Sequence, residues 1–160
     1  MSLTSLQASI EIAAAPDITL AAFQAIEQWS TWYPGVVNAG WVTGEPWAVG
    51  AVMEVRVRNS LGMIVRSTAT VLLAISSSSA NEALAIPPEH SCCWENRAPG
   101  LVTVCYAWAE PTDSGCRFTL QKEYHGALVP LLWLMKRRQA RMLQQGLKNL
   151  CAQGYAGARG

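Results

Sequence analysis

The chain has 160 residues, of which 51% are hydrophobic and only 14% charged, and its formal net charge is +1 at neutral pH. That length is one ordinary domain, able to bury about two-thirds of its unfolded surface; the near-neutral balance gives no general attraction to nucleic acid, and no stretch approaches the roughly 18 to 20 uninterrupted apolar residues of a membrane span. With charged residues well below the usual ~25%, the apolar excess must go into a core, a cavity or a contact surface.

The first segment, Ser5 to Ile12, reads as a short strand. Ala15, Pro16 and Asp17 follow, with Pro suited to a first helical position and Asp to the helix dipole. Leu20, Phe23 and Ile26 then recur at helical spacing to about Gln28, before the aromatic knot of Trp29, Trp32 and Tyr33 and the stop at Pro34 and Gly35. The expectation is a strand, a helix and a short second helix.

From Val36 the period changes to two, and turn residues recur at Gly44 to Gly50, Asn59 to Gly62, Pro99 to Gly100 and Asp113 to Gly115. Between them lie six strands: Val36 to Val42, Ala51 to Arg58, Met63 to Ile75, Ser91 to Arg97, Leu101 to Glu110 and Cys116 to Tyr124. Mostly short connections favour an antiparallel meander. The exception is Ser76 to His90, whose serine run and Pro87-Pro88 predict a longer loop or an edge. Met53, Val55 and Val57 share one face of their strand, opposite Glu54, Arg56 and Arg58. In Leu101 to Glu110 neither face is charged, so either both are covered or the larger set, with Tyr106 and Trp108, looks into a cavity.

The last segment, Leu128 to Gln153, is the longest helical pattern. Leu128, Leu132, Met135, Met142, Leu143, Gly146 and Leu150 fall on one stripe, with Arg137, Arg141 and Lys148 opposite. Gln139 and Gly146 stand near the middle of that stripe, where Leu would serve packing better; the expectation is that Gln139 offers a hydrogen bond to a ligand and Gly146 leaves room for its bulk. Leu131, Trp133 and Leu134 make the first turn apolar all round, so part of it must meet loops, a second subunit in a homodimer, or a lipid surface. A sheet with one apolar face can curl around such a helix and leave its interior unfilled.

Five cysteines, Cys92, Cys93, Cys105, Cys116 and Cys151, contain no CxxC pair and fit free thiols in a reducing compartment. Met1 to Ile12 has no basic residue ahead of an apolar run, so no signal peptide is expected and the expected location is cytoplasmic. Scattered turn glycines form no nucleotide loop. Cys92 and Cys93 point to opposite faces of one strand, away from any single metal. No metal or cofactor is expected.

The order of these elements and several strings, "APDITLAAFQAIEQWSTWYPGV", "VGAVMEV", "IPPEHSCCWENRAPG" and "AEPTDSGCRFTLQKEYHG", resemble the Bet v 1-like helix-grip superfamily and, within it, the polyketide cyclase/dehydrase branch of START-like proteins. The resemblance spans nearly the whole chain. It implies an α+β fold in which a curved antiparallel sheet of about seven strands wraps a long C-terminal helix, two short helices following the first strand. One such domain would occupy residues 1–153, with a flexible tail at 154–160. It also implies an apolar partner, a lipid, sterol or polyketide-like molecule, held between sheet and helix by a carrier or sensor. The alternative is an aromatase/cyclase-like enzyme acting on a polyketide or related carbonyl compound in the same cavity.

The residues expected to wall such a cavity are Trp32, Trp41, Met53, Val55, Val57, Trp94, Tyr106 and Trp108 from the sheet side, with Leu132, Met135, Gln139 and Met142 from the helix. Aromatics suit a stiff wall against a planar ligand. For the enzyme alternative the candidates are Arg66, a guanidinium able to polarise a carbonyl, and Glu123 and Tyr124, an acid or base at the strand end beside the cavity mouth.

Overall fold

A computed structural model describes residues 5–59, 61–75 and 90–157. The chain forms β1 (Ser5–Ile12), α1 (Pro16–Gln24), one 3-10 turn (Ile26–Gln28), α2 (Trp29–Trp32), β2 (Val36–Thr43), β3 (Val52–Arg58), β4 (Ile64–Ile75), β5 (Ser91–Ala98), β6 (Leu101–Thr112), β7 (Gly115–His125), α3 (Val129–Leu134) and α4 (Lys136–Gly157). The expected loop at Ser76 to His90 lies, apart from His90, outside the described residues.

All seven strands join one antiparallel sheet in the order β1-β7-β6-β5-β4-β3-β2. The meander from β2 to β7 ends beside β1, so α1 and α2 must carry the chain from one sheet edge to the other across the concave side. Irregular register at Val36/Asn38 and Trp41/Thr43 in β2, and at Val71/Leu73 in β4, supplies the local bends that curl such a sheet. This is the expected helix-grip architecture, with α4 laid against β1, α1 and α2.

Three boundaries differ from the sequence reading. The first helix gives way after Gln24 to a 3-10 turn, which lets the chain swing Trp29 and Trp32 inward. The last helix is broken at Met135, where the Met135 N–H reaches back to Leu132 O at 3.0 Å and the following helix restarts from the Met135 carbonyl. It also runs on to Gly157, four residues past the boundary placed at 153.

The break matters because it uncouples two helical phases. In α4 the buried positions are Leu143, Gly146, Leu147 and Leu150, one apolar face as the spacing predicts, with Leu147 added. In α3 nothing is fully buried, and Leu128, assigned to the buried stripe, is 43% exposed. Gly126 fixes where α3 sits: at φ +118 it adopts a conformation that suits glycine, and a Cβ there would lie 2.5 Å from Gly100 O. The neighbouring Leu128 N–H donates to the same carbonyl at 3.1 Å, tying the start of α3 to the β5–β6 turn. Gly146 serves close packing rather than ligand bulk, because a Cβ there would lie 3.2 Å from Pro34 Cδ and 3.8 Å from the Trp32 ring.

One end of the space between sheet and helices is filled with aromatic rings centred on Phe23, which is fully buried. Its ring centroid lies 5.3 Å from Phe118, 5.5 Å from Trp29, 5.6 Å from Trp94, 5.9 Å from Trp32 and 6.4 Å from Trp47. Trp29 and Trp47 satisfy their indole N–H groups by donating to Phe23 O and Gln24 O, both at 2.7 Å. Removing the central ring leaves a cavity that five stiff neighbours cannot collapse into, so Phe23→Ala should lower the unfolding free energy by about 3 to 5 kcal/mol. Chemical denaturation monitored by near-ultraviolet circular dichroism measures this, and a loss below about 1 kcal/mol would show that the cluster is not the anchor described.

Candidate functional site

Away from the aromatic plug, the concave space stays open as a cavity with two lobes. The inner lobe, about 250 Å³, lies against the sheet under Trp29 and Trp94 and carries the small polar side chains of Ser67, Asn96 and Thr103. The outer lobe, about 500 Å³, opens between the β3–β4 turn, through Arg58, Asn59 and Val65, and the α3–α4 region, through Leu128, Met135 and Met142. Such volumes suit a small ligand. Tyr33, Lys122, Tyr124, Leu132 and Gln139 border both lobes.

Strand alternation decides which side chains reach this space. Along β7, Cys116, Phe118, Leu120, Lys122 and Tyr124 point to the concave side, while Arg117, Thr119, Gln121, Glu123 and His125 point away. Antiparallel register carries the same sidedness to β6, where Cys105 stands opposite Lys122 and Thr103 opposite Tyr124. The inward set on β6 is therefore the small one.

Of the expected wall residues, Val55, Val57, Trp94, Leu132, Met135, Gln139 and Met142 line the cavity. Five do not. Tyr106 and Trp108 lie opposite Gln121 and Thr119 on the convex face, because the alternation of β6 runs the other way from the one assigned. Trp32 and Met53 are buried core, and Trp41 packs edge-on against Trp47 at 5.5 Å near the filled end.

The catalytic candidates separate in the same way. Arg66 pairs across the sheet with Arg56 on the solvated face, its side chain 70% exposed and 3.7 Å from Glu54. Glu123 is also on the convex side, accepting from Gln121 Nε2 at 3.0 Å and lying 4.0 Å from His125. Neither reaches the cavity. Tyr124 does, and with it Lys122, which the sequence reading passed over. The signal was available: Cys116-x-Phe118-x-Leu120-x-Lys122-x-Tyr124 is an apolar row of period two with one lysine set into it.

Lys122 Nζ stands 4.9 Å from the centroid of the Tyr33 ring, a cation–π contact. Burial opposes its charge, but the neighbouring Tyr33, Tyr124 and Cys105 more than offset that and hold its pKa above the ordinary lysine range. Burial pushes the Cys105 thiol up to about 11, Lys122 pulling against it, and Asn96 Nδ2 donates to its sulfur at 3.5 Å. Burial also raises the Tyr124 phenol, again against Lys122. The site therefore gathers one lysine, two phenols and a thiol at the junction of the two lobes.

A family model described as polyketide cyclase / dehydrase and lipid transport matches residues 4–153. No curated protein is significantly similar to the chain in sequence. Among solved structures, the chain is similar to TTHA0849 from Thermus thermophilus, with 15% identity, a TM-score of 0.72 and coverage of 96% of this chain and 98% of that one. A START superfamily protein from Mycobacterium smegmatis superposes with a TM-score of 0.70 at 11% identity, covering 94% and 98%. The Zhui aromatase/cyclase from Streptomyces sp. R1128 does so with a TM-score of 0.69 at 11% identity, covering 94% and 93%. Identities this low show a shared fold.

Gln139 borders both lobes, and its amide makes no hydrogen bond to another described residue. Replacing it with Leu breaks no hydrogen bond to these residues, so Gln139→Leu should keep or raise stability while weakening ligands with a polar end. Thermal and urea unfolding of the free protein checks the first part. A loss beyond about 1 kcal/mol would mean that the amide is instead a structural hydrogen-bonding group.

Proposed function

This chain belongs to the polyketide cyclase / dehydrase and lipid transport family, and we propose that it holds a small apolar molecule in the two-lobed cavity as a carrier or sensor. One observation carries the reading. General acid–base catalysis needs a converging acid and base, yet among the described residues no carboxylate or histidine lines either lobe, where Lys122 stands with phenol, thiol, amide and apolar side chains. Arg66 and Glu123, the other catalytic candidates, lie outside the cavity. Such a site holds and orients a ligand. A reducing, cytoplasmic setting is supported by five cysteines that are all free thiols.

A second reading, an aromatase/cyclase-like enzyme, draws on the same lysine. An ammonium beside two phenols would stabilise an enolate oxygen on a polyketide or related carbonyl compound by fixed electrostatics alone. Turnover of a poly-β-ketone substrate, abolished in Lys122→Met, would favour it over the carrier.

Delivery of the ligand would occur at a lipid surface. Leu131, Trp133 and Leu134 are 56%, 57% and 75% exposed on α3, beside the outer lobe. The chain from Lys136 to Lys148 adds Arg137, Arg138 and Arg141 with no acidic residue, a charge pattern that suits anionic headgroups beneath an apolar wedge.

Trp29 and Trp94 line the inner lobe, so an apolar ligand should change tryptophan emission and raise the melting temperature. Saturation at a hundred times Kd corresponds to about 2.7 kcal/mol of stabilisation. A panel of fatty alcohols and sterols that leaves both unchanged removes the carrier reading. Flotation with vesicles of anionic phospholipid should retain the protein and lose it in Trp133→Glu; a concentration-dependent dimer in place of vesicle binding would assign this patch to a second copy instead.

A further inference from the structure

Lys122 is placed where a purely apolar ligand has no use for it. It sits on β7 between Leu6 of β1 and Cys105 of β6, one strand in from the sheet edge, in a row otherwise made of Cys, Phe, Leu and Tyr. Among the described residues no carboxylate lies within salt-bridge distance of it. The adjacent Glu123 is turned to the other face by strand alternation and faces His125. A Met or Leu at 122 would continue the apolar row without the cost of partly desolvating a charge.

Resting on the carrier reading above, we propose that the ligand is an amphiphilic acid, whose single carboxylate pairs with Lys122 while its apolar body extends through the outer lobe. The outer lobe is the larger of the two and takes the apolar body. Beyond Lys122 the inner lobe offers Ser67, Asn96 and Thr103, a place for water or for further oxygen groups near the head. On the other side Leu128, Leu132, Met135 and Met142 line the way out, matching a hydrocarbon chain or ring system. The head site carries one cation, with the Tyr33 and Tyr124 hydroxyls as the neighbouring donors. That set balances a monoanion such as a carboxylate, and a doubly charged phosphate would lack a second partner. Arg58 and Arg138 belong to the rim of the outer lobe, where they draw acids toward the mouth without being the place where the head rests.

The test compares decanoic acid with 1-decanol, which share a chain and differ in charge, by calorimetric titration at pH 7.5. The unsubstituted protein should bind the acid at least tenfold more tightly, equivalent to about 1.4 kcal/mol. Lys122→Met should bring the ratio to within threefold of one while changing decanol affinity less than threefold, and Lys122→Arg should keep at least a fivefold preference. Arg138→Gln should leave the preference intact. Equal affinity of the unsubstituted protein for acid and alcohol would overturn the proposal while leaving the apolar cavity standing, and needs no variant to be folded. Preference that survives Lys122→Met, or that disappears with Arg138→Gln, would equally overturn it. Binding of neither compound would bring down the carrier reading and this proposal together.

Discussion

The packing of aromatic rings around Phe23 is the constraint from which the rest of the molecule follows. A curved sheet and a long helix enclose more space than the side chains of this chain can fill, and the plug decides which part is solid. It draws rings from α1, α2, the β2–β3 connection, β5 and β7, so one cluster fixes the path of the chain across the concave side. Its demands override local preference. Trp47 adopts φ +61, a conformation that is an outlier for a bulky residue, and is held there by its hydrogen bond to Gln24 and its contacts with Phe23, Trp41 and Trp94. With that end closed, empty volume can exist only toward α3 and the β3–β4 turn.

Strand alternation then turns geometry into chemistry. Lys122 and Glu123 are neighbours in sequence with opposite charge, yet one enters the cavity and the other faces away. The register of eight paired residues between β1 and β7, continued by eleven between β7 and β6, fixes that choice. A slip by one residue would reverse every side chain of β7, putting Glu123 inside and Phe118 in water. Burial of Cys116, Phe118 and Leu120 is therefore what keeps the cavity cationic. The electrostatic character of the site is a consequence of hydrophobic sorting a few residues away.

Most of the fold was legible because its signals are periodic. Strand positions follow from period-two rows and glycine turns, and α1 from Pro16 and the spacing of Leu20 and Phe23. Half of the site was legible for the same reason: Val55, Val57, Gln139 and Met142 lie on faces that their own elements define. What failed was the inference from size. Tyr106 and Trp108 were assigned inward because they are large, but the concave face of β6 must clear the helices and the plug, and takes Cys105, Ala107 and Ala109 instead. Trp32 and Trp41 were assigned to the cavity wall, which instead passes Trp29 and Trp94, a distinction set by contacts across the fold that no local pattern contains. Lys122 lies outside the sequence expectations, although its parity with Phe118 and Leu120 stands in the sequence.

The final helix divides its length between holding the fold and meeting the ligand. From Leu143 to Leu150 it is anchored: Leu143, Leu147 and Leu150 are buried, Gly146 lets it close on Pro34 and Trp32, and Asn149 donates to Trp32 O at 2.9 Å. From Lys136 to Met142 only Gln139 and Met142 turn inward, and what they meet is the cavity rather than packed side chain. The break at Met135 leaves α3 fastened chiefly through the Gly100 carbonyl. Packing is therefore graded along this segment, dense beside the plug, where Leu143, Leu147 and Leu150 are buried, and sparse beside the outer lobe, where α3 has no buried residue and leaves the cavity unfilled.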